Sequence, residues 1–151
     1  MSDENPTIDD PKLGAFARAY SELTDGTVLT HDWFVGTVSV DGAEVELLLE
    51  GTTVDEVTPL LPRLRDAVAR LDILRRIATD AVVTNFSTGD PEPHELDDAA
   101  SDLTIEALEA AADGTVILHL IDGCGEHFPE GYWPAVHLDV DDSVAEVTVE
   151  S

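Results

Sequence analysis

Between residues 33 and 50 apolar and polar positions alternate in two runs, separated by Asp41-Gly42. A two-residue type I′ turn favours that pair because both central positions need positive φ. Such a loop pairs Val40 with Ala43 and carries the pairing outward two residues at a time. Phe34, Gly36, Val38 and Val40 then oppose Leu49, Leu47, Val45 and Ala43 on one face. The other face carries Trp33, Val35, Thr37 and Ser39 with Glu50, Leu48, Glu46 and Glu44, so one side of the hairpin seeks a core and the other seeks water. From Thr58-Pro59 the period becomes helical: Leu60, Leu61, Leu64, Ala67, Val68, Leu71, Leu74 and Ile77 form an apolar stripe. Pro62 lies near the first turn, where a missing N–H does little damage. This long helix is expected to pack across the hairpin's apolar face.

The flanking segments extend the pattern. Asp10-Pro11 reads as an N-cap with proline in the first turn, and Leu13, Phe16, Ala17 and Tyr20 recur at helical spacing as far as residue 23, where Asp25-Gly26 ends the run. Residues 87–93 read as a loop, and 103–112 as a third helix closed by Gly114. Segments 115–121, 135–140 and 144–149 read as strands, the last two joined by the tight Asp141-Asp142-Ser143 connection. The expected architecture is α+β: an antiparallel sheet of about five strands packed by one long helix and two shorter ones, in the order α-β-β-α-α-β-β-β. Residues 1–10 read as an acidic flexible tail and 11–151 as a single domain.

Charge changes the picture more than size does. Seven Lys and Arg oppose 33 Asp and Glu, and from residue 77 to the end there are eighteen acids and no base. Nucleic acid and anionic membrane surfaces recruit Lys and Arg, so a polyanion is repelled from both. Five arginines crowd between Arg63 and Arg76, where a helix would pair them with Asp66, Asp72 and neighbouring acids. The core must come from aliphatic residues, since aromatics are only 5% of the chain. A lone cysteine and an N-terminus without a charged or greasy leader are read as cytoplasmic.

Candidate chemistry gathers near residues 119–137. His119, Cys124, His127 and His137 would supply imidazole and thiolate to a zinc-type ion if the two strands place residues 119 and 137 opposite each other. No His-Glu-x-x-His or Cys-x-x-Cys spacing supports that, and solvated cross-strand histidines are the competing picture. Cys124 beside His119 and His127 also permits a Cys-His nucleophile, although Asp122 and Glu126 would raise the thiol pKa. His31-Asp32 and His94-Glu95 are adjacent pairs of the kind common in strands and loops and do not make catalytic dyads. Trp33, Tyr132 and Trp133, with Glu126 and Glu130 nearby, are candidates for a recognition surface. With no phosphate-cradling glycine motif, no nucleotide cofactor is expected, and the sequence calls for no other.

Trp33-Phe34-Val35-Gly36, Val38, Asp41-Gly42, Asn85-Phe86, Leu103-Thr104-Ile105 and Tyr132-Trp133 ahead of His137 together resemble small bacterial domains of unknown function of the 2262 type. Several relatives of that group are proposed to be toxin-immunity proteins. The run 131–137 departs from their aromatic, Trp-Gly-His pattern. The resemblance implies an interaction module with no catalytic residues to carry over. Three functions follow as expectations: a non-enzymatic acidic domain binding a basic protein, a salt-adapted domain whose charge reflects habitat, or a metal- or cysteine-dependent hydrolase around His119, Cys124 and His137.

Overall fold

A computed structural model of the chain describes residues 7–40, 42–122 and 132–150. Eight strands form one sheet in sequential order: β1 (Thr7–Asp10), β2 (Gly14–Glu22), β3 (Val28–Val40), β4 (Ala43–Glu50), β5 (Leu103–Ala110), β6 (Val116–Asp122), β7 (Trp133–Leu138) and β8 (Val144–Glu150). Every neighbouring pair is antiparallel except β4 and β5, which run parallel. A parallel neighbour requires a crossover. Here it contains α1 (Val54–Val57), a 3-10 turn (Thr58–Leu60), α2 (Leu61–Ala69), α3 (Leu71–Phe86) and α4 (Pro93–Asp102).

This corrects the expected five-stranded antiparallel sheet and its helix-first order. The hairpin register is as derived, from Val40 opposite Ala43 out to Trp33 opposite Glu50. The expected first helix, from Pro11 to about residue 23, is instead a turn and β2. The Asp10 side chain does accept the N–H groups of Lys12 and Leu13, as an N-cap would, but Gly14 at φ 88° turns the chain back. Thr7–Asp10, assigned to a tail, is β1. The expected third helix is β5: Leu, Ala and Glu favour helix locally, but pairing with β4 and β6 overrides propensity. The single long helix divides at Arg70 (φ −114°, ψ 28°), and α4 occupies residues for which no helix was expected.

Three hairpins close with one turn. Leu23, Ala111 and Asp139 each donate N–H to the carbonyl four residues on, at Thr27, Thr115 and Ser143. Asp25, Asp113 and Asp141 accept the N–H two residues later, and Gly26, Gly114 and Asp142 take positive φ. This is the three-residue hairpin loop with a left-handed closing position. Asp25-Gly26 and Gly114, read as helix stops, belong to it.

The helices cover one face of the sheet. Leu61, Leu64, Leu74, Ala78 and Val82 bury against Phe16, Phe34, Leu47, Leu49, Leu108, Leu118, Leu120, Val136 and Leu138 in one cluster. By direct packing α2 lies on β5 and β6, and α3 on β5, β7 and β8, so the helical layer centres on the second half of the sheet rather than on the β3–β4 hairpin. Gly36 makes room there: a Cβ would stand 2.8 Å from the Ala15 carbonyl oxygen and 3.0 Å from the Phe16 ring.

Arginines fasten this layer at its rim. Arg63 donates to the carbonyl oxygens of Gly114 (3.2 Å) and Asp139 (2.8 Å) and to the Asp142 carboxylate (3.0 Å), holding two hairpin turns to α2. Arg70 also reaches Asp142 at 2.6 Å. Arg65 forms an ion pair with buried Asp10 at 3.0 Å, and Arg75 donates to the carbonyls of Ala100 and Leu103. Asp66 does pair with Arg63 and Arg70, but most arginine partners come from turns and from α4 rather than the same helix.

Arg63→Ala is expected to lower the unfolding free energy by about 2–3 kcal/mol, since charge-assisted bonds to three partners are lost and part-buried acceptors are stranded. Urea denaturation measures this, with Arg76→Ala, whose partners are exposed, leaving the midpoint unmoved. Burial pushes the Asp10 carboxyl up, but the Lys12 and Leu13 N–H groups and the Arg65 charge outweigh it and hold it below the ordinary value. A depressed carboxyl stabilises the fold above its unfolded value and loses that as pH falls through the folded one. The stability gap between the native chain and Asp10→Asn is therefore expected to narrow below about pH 4, as followed by denaturation at stepped pH.

Candidate functional site: the open face of the sheet

Side chains that point away from the helices form the second face. Strand parity and register give its rows. One runs Thr37, Glu46, Ala107, His119, Ala135, Thr148, and the next runs Val35, Leu48, Glu109, Ile117, His137, Glu146. Glu44, Glu50 and Glu150 belong to the same face, and Glu106 reaches it at the β5 irregularity between Ile105 and Ala107. None of the described side chains on this face is lysine or arginine.

A depression of about 450 Å³ lies at its centre. Ala107 forms its floor because it has nothing beyond Cβ, while Thr37, Glu44, Glu46 and Glu106 rise on one side and His119 and Trp133 on the other. Those three glutamates have no ion-pair partner among the described residues. The far wall is internally bonded. Trp133 Nε1 donates to His119 Nδ1 at 3.2 Å, so the neutral ring carries its proton on Nε2, which lies 3.1 Å from Glu109 Oε1. Both nitrogens are engaged, which withdraws the ring from general-base work and fixes the indole over the depression.

His119 and His137 are not directly opposite each other, as the zinc-type arrangement would have them. His119 opposes Ala135 and His137 opposes Ile117, so the two are offset rather than opposite, and His137 Nε2 lies 3.1 Å from Thr148 Oγ1. Among the described residues no group of three or more His, Cys, Asp or Glu is arranged to hold a metal. Cys124, Glu126, His127 and Glu130 lie outside the described residues.

The aromatic candidates do not form one patch. Trp133 and Trp33 share the open face, but four strand spacings and about six residue levels separate them, roughly 25–30 Å. Trp33 stacks on His31, with centroids 4.5 Å apart, on the long β2–β3 arm, and Tyr132 is exposed beside Trp133. His31 Nε2 also meets Ser21 Oγ at 2.7 Å, on exposed strand positions where no acid among the described residues orients the ring. Neighbouring Asp32 faces Arg18 at 3.6 Å instead. His94 and Glu95 rim a separate hollow between α3 and α4.

Sequence reasoning placed Glu44, Glu46 and Glu50 on a wet face but missed Glu106 and Glu109, because it read their strand as a helix. The alternation from Leu108 to Ala110, buried on either side of half-buried Glu109, was the available signal.

Fold and site together define an α+β protein with one helix-covered face and one open acidic face. Comparisons with family models, with curated proteins and with solved structures find no match.

In a Trp33→Phe background only Trp133 reports, and His119→Ala is expected to shift its emission to longer wavelength as the indole N–H turns to water. Unchanged emission would contradict the bonded wall.

Proposed function

We propose that the protein is a binding module whose open sheet face receives a basic protein partner. The observation that supports this most is the segregation of charge: seven glutamates, at 44, 46, 50, 106, 109, 146 and 150, stand on that face with no described lysine or arginine among them. Around them Trp133, Leu48 and Ile117 supply half-buried apolar area of the kind that carries binding energy, while the carboxylates steer encounter and reject anionic surfaces, nucleic acid and acidic membranes included. An inhibitor of a cationic enzyme is the partner class such a face complements. Its internally bonded histidine supports recognition over hydrolysis. No described helix is long and apolar enough to cross a membrane.

Salt adaptation accounts for a different part of the charge. Asp55, Asp72, Asp90 and Asp98 are exposed, scattered over the helical side and converge on nothing, which favours solvation as their role.

The two roles separate by titration with an oligo-arginine peptide at about 0.15 M salt. Glu44→Gln, Glu46→Gln and Glu106→Gln combined are expected to weaken binding at least about tenfold, and Asp72→Asn, Asp90→Asn and Asp98→Asn combined less than about twofold. Equal weakening by the two sets, which carry the same charge change, would leave only general attraction and sink the proposal.

A further inference from the structure

The sheet ends at β8, which pairs with β7 alone, so its outer row of backbone donors and acceptors meets no strand among the described residues. Natural sheets protect such edges with proline, lysine or a very short strand. The opposite edge follows that rule, since β1 has four residues and runs into Pro11-Lys12. β8 has none of these three, and only Glu146, Glu150 and the register irregularity at Ala145 guard it: it spans seven residues, Val-Ala-Glu-Val-Thr-Val-Glu, with Val144 41% and Val149 45% exposed.

A groove accompanies this edge. The row Ile77, Ala81 and Thr84 of α3 faces Val144 and Val147 of β8 across a cleft of about 440 Å³. From residue 77 to 85 the helix advances about 12 Å, the length of about four residues of extended chain. Asp80, bonded to Arg76 at 2.9 Å, stands in the helix wall. Asn85 and Ala145 also line the groove, and Glu146 reaches it from the edge, although strand parity puts Glu146, like Glu150, on the open face, opposite His137 and Trp133.

We infer that β8 is a docking rail for an extended segment of a partner protein that adds as a ninth strand, its small apolar side chains entering the α3–β8 groove and its arginines or lysines alternating onto the open face beside Glu146 and Glu150. Strand addition at a free edge next to a helix draws affinity from main-chain hydrogen bonds and specificity from alternate side chains. Charge selects the occupant. A second copy of this chain would add its own Glu146 and Glu150 to an edge that already carries two glutamates, and in the register about Thr148 would oppose them directly, where like charges destabilise a sheet pair. A basic strand meets the same carboxylates with opposite sign. The inference rests on the reading of the protein as a receptor for a basic partner, and it adds the backbone conformation and the side-chain pattern of the segment bound.

The probe is a nine-residue peptide alternating valine and arginine, with two versions N-methylated on every valine or on every arginine. Methylation leaves charge and side chains unchanged and removes the amide donors of one edge. One methylated version is expected to bind at least about tenfold more weakly and the other within about twofold of the parent, because only one peptide edge faces β8. Amide exchange at Val147 to Val149 should slow when the parent binds. Equal binding by all three peptides, no binding by the parent, or β8 amides already protected in a dimer without peptide would each overturn the inference. If the methylated pair are equal while the Glu44, Glu46 and Glu106 variant still loses binding, the rail falls and the acidic face stands. If methylation discriminates but that variant binds normally, the edge stands and the centre of the open face is not the receptor.

Discussion

One stretch of chain, residues 51–102, has to dry an eight-stranded sheet. β1 to β4 and β5 to β8 are two meanders whose described turns are a few residues each, so none of these turns reaches back across a face. The helices of the crossover therefore make one layer, and the sheet has one core. The opposite face follows from this shortage. Its strands must alternate so that what points away from the helices tolerates water, which is why Glu46 and Glu109 each stand between two buried residues, Val45 and Leu47 for the first and Leu108 and Ala110 for the second.

The same constraint explains where the few bases went. A thin helical layer on a wide sheet is held weakly at its margins, far from the densest apolar contacts. There Arg63, Arg65 and Arg75 bridge helix to turn, helix to edge strand and helix to helix. Asp142 shows the strength of that demand. It takes φ 67° where the two sister turns have glycine, a conformation that costs an ordinary residue about 1–2 kcal/mol, and its carboxylate accepts from both Arg63 and Arg70. With the arginines committed to joints, the exposed exterior is left negative by default. Total charge therefore carries little information about partners, whereas the distribution on one face carries more.

What could be read from the sequence divides along physical lines. The β3–β4 hairpin was legible to the residue because turn chemistry and alternation agree there, and the strands near 115–121, 135–140 and 144–149 were legible for the same reason. The errors fall where local preference and tertiary pairing conflict. Leu103 to Ala110 is rich in helix formers and becomes a strand because it lies between β4 and β6. Residues 13–20 satisfy both periods, and Gly14 settles the matter through a backbone angle that spacing does not reveal. The recurrence of Asp-Gly-Thr at 25–27 and 113–115, echoed by Asp-Asp-Ser at 141–143, was a hairpin signal available from the start. Of the candidate site, the glutamates on β4 followed from alternation, whereas the bonds joining Glu109, His119 and Trp133 depend on register across three strands that no spacing rule supplies.

Catalysis and recognition ask opposite things of a histidine, and His119 meets only one set of demands. A general base needs a free lone pair aimed at substrate, but here the lone pair is occupied by an indole N–H and the remaining proton is aimed at a carboxylate. Such a ring is a strut. It holds Trp133 as a rigid wall over a floor of Ala107, and a preorganised aromatic beside carboxylates that meet no cation among the described residues lowers the ordering cost of association. At the far end of the same face the seven-residue β8 pairs with β7 on one side and meets no strand among the described residues on the other, beside a groove too shallow to enclose a small substrate but long enough for a strand. Wall, carboxylates and edge share one sheet, so a ligand that satisfied all three would be extended and basic, and large enough to be a protein.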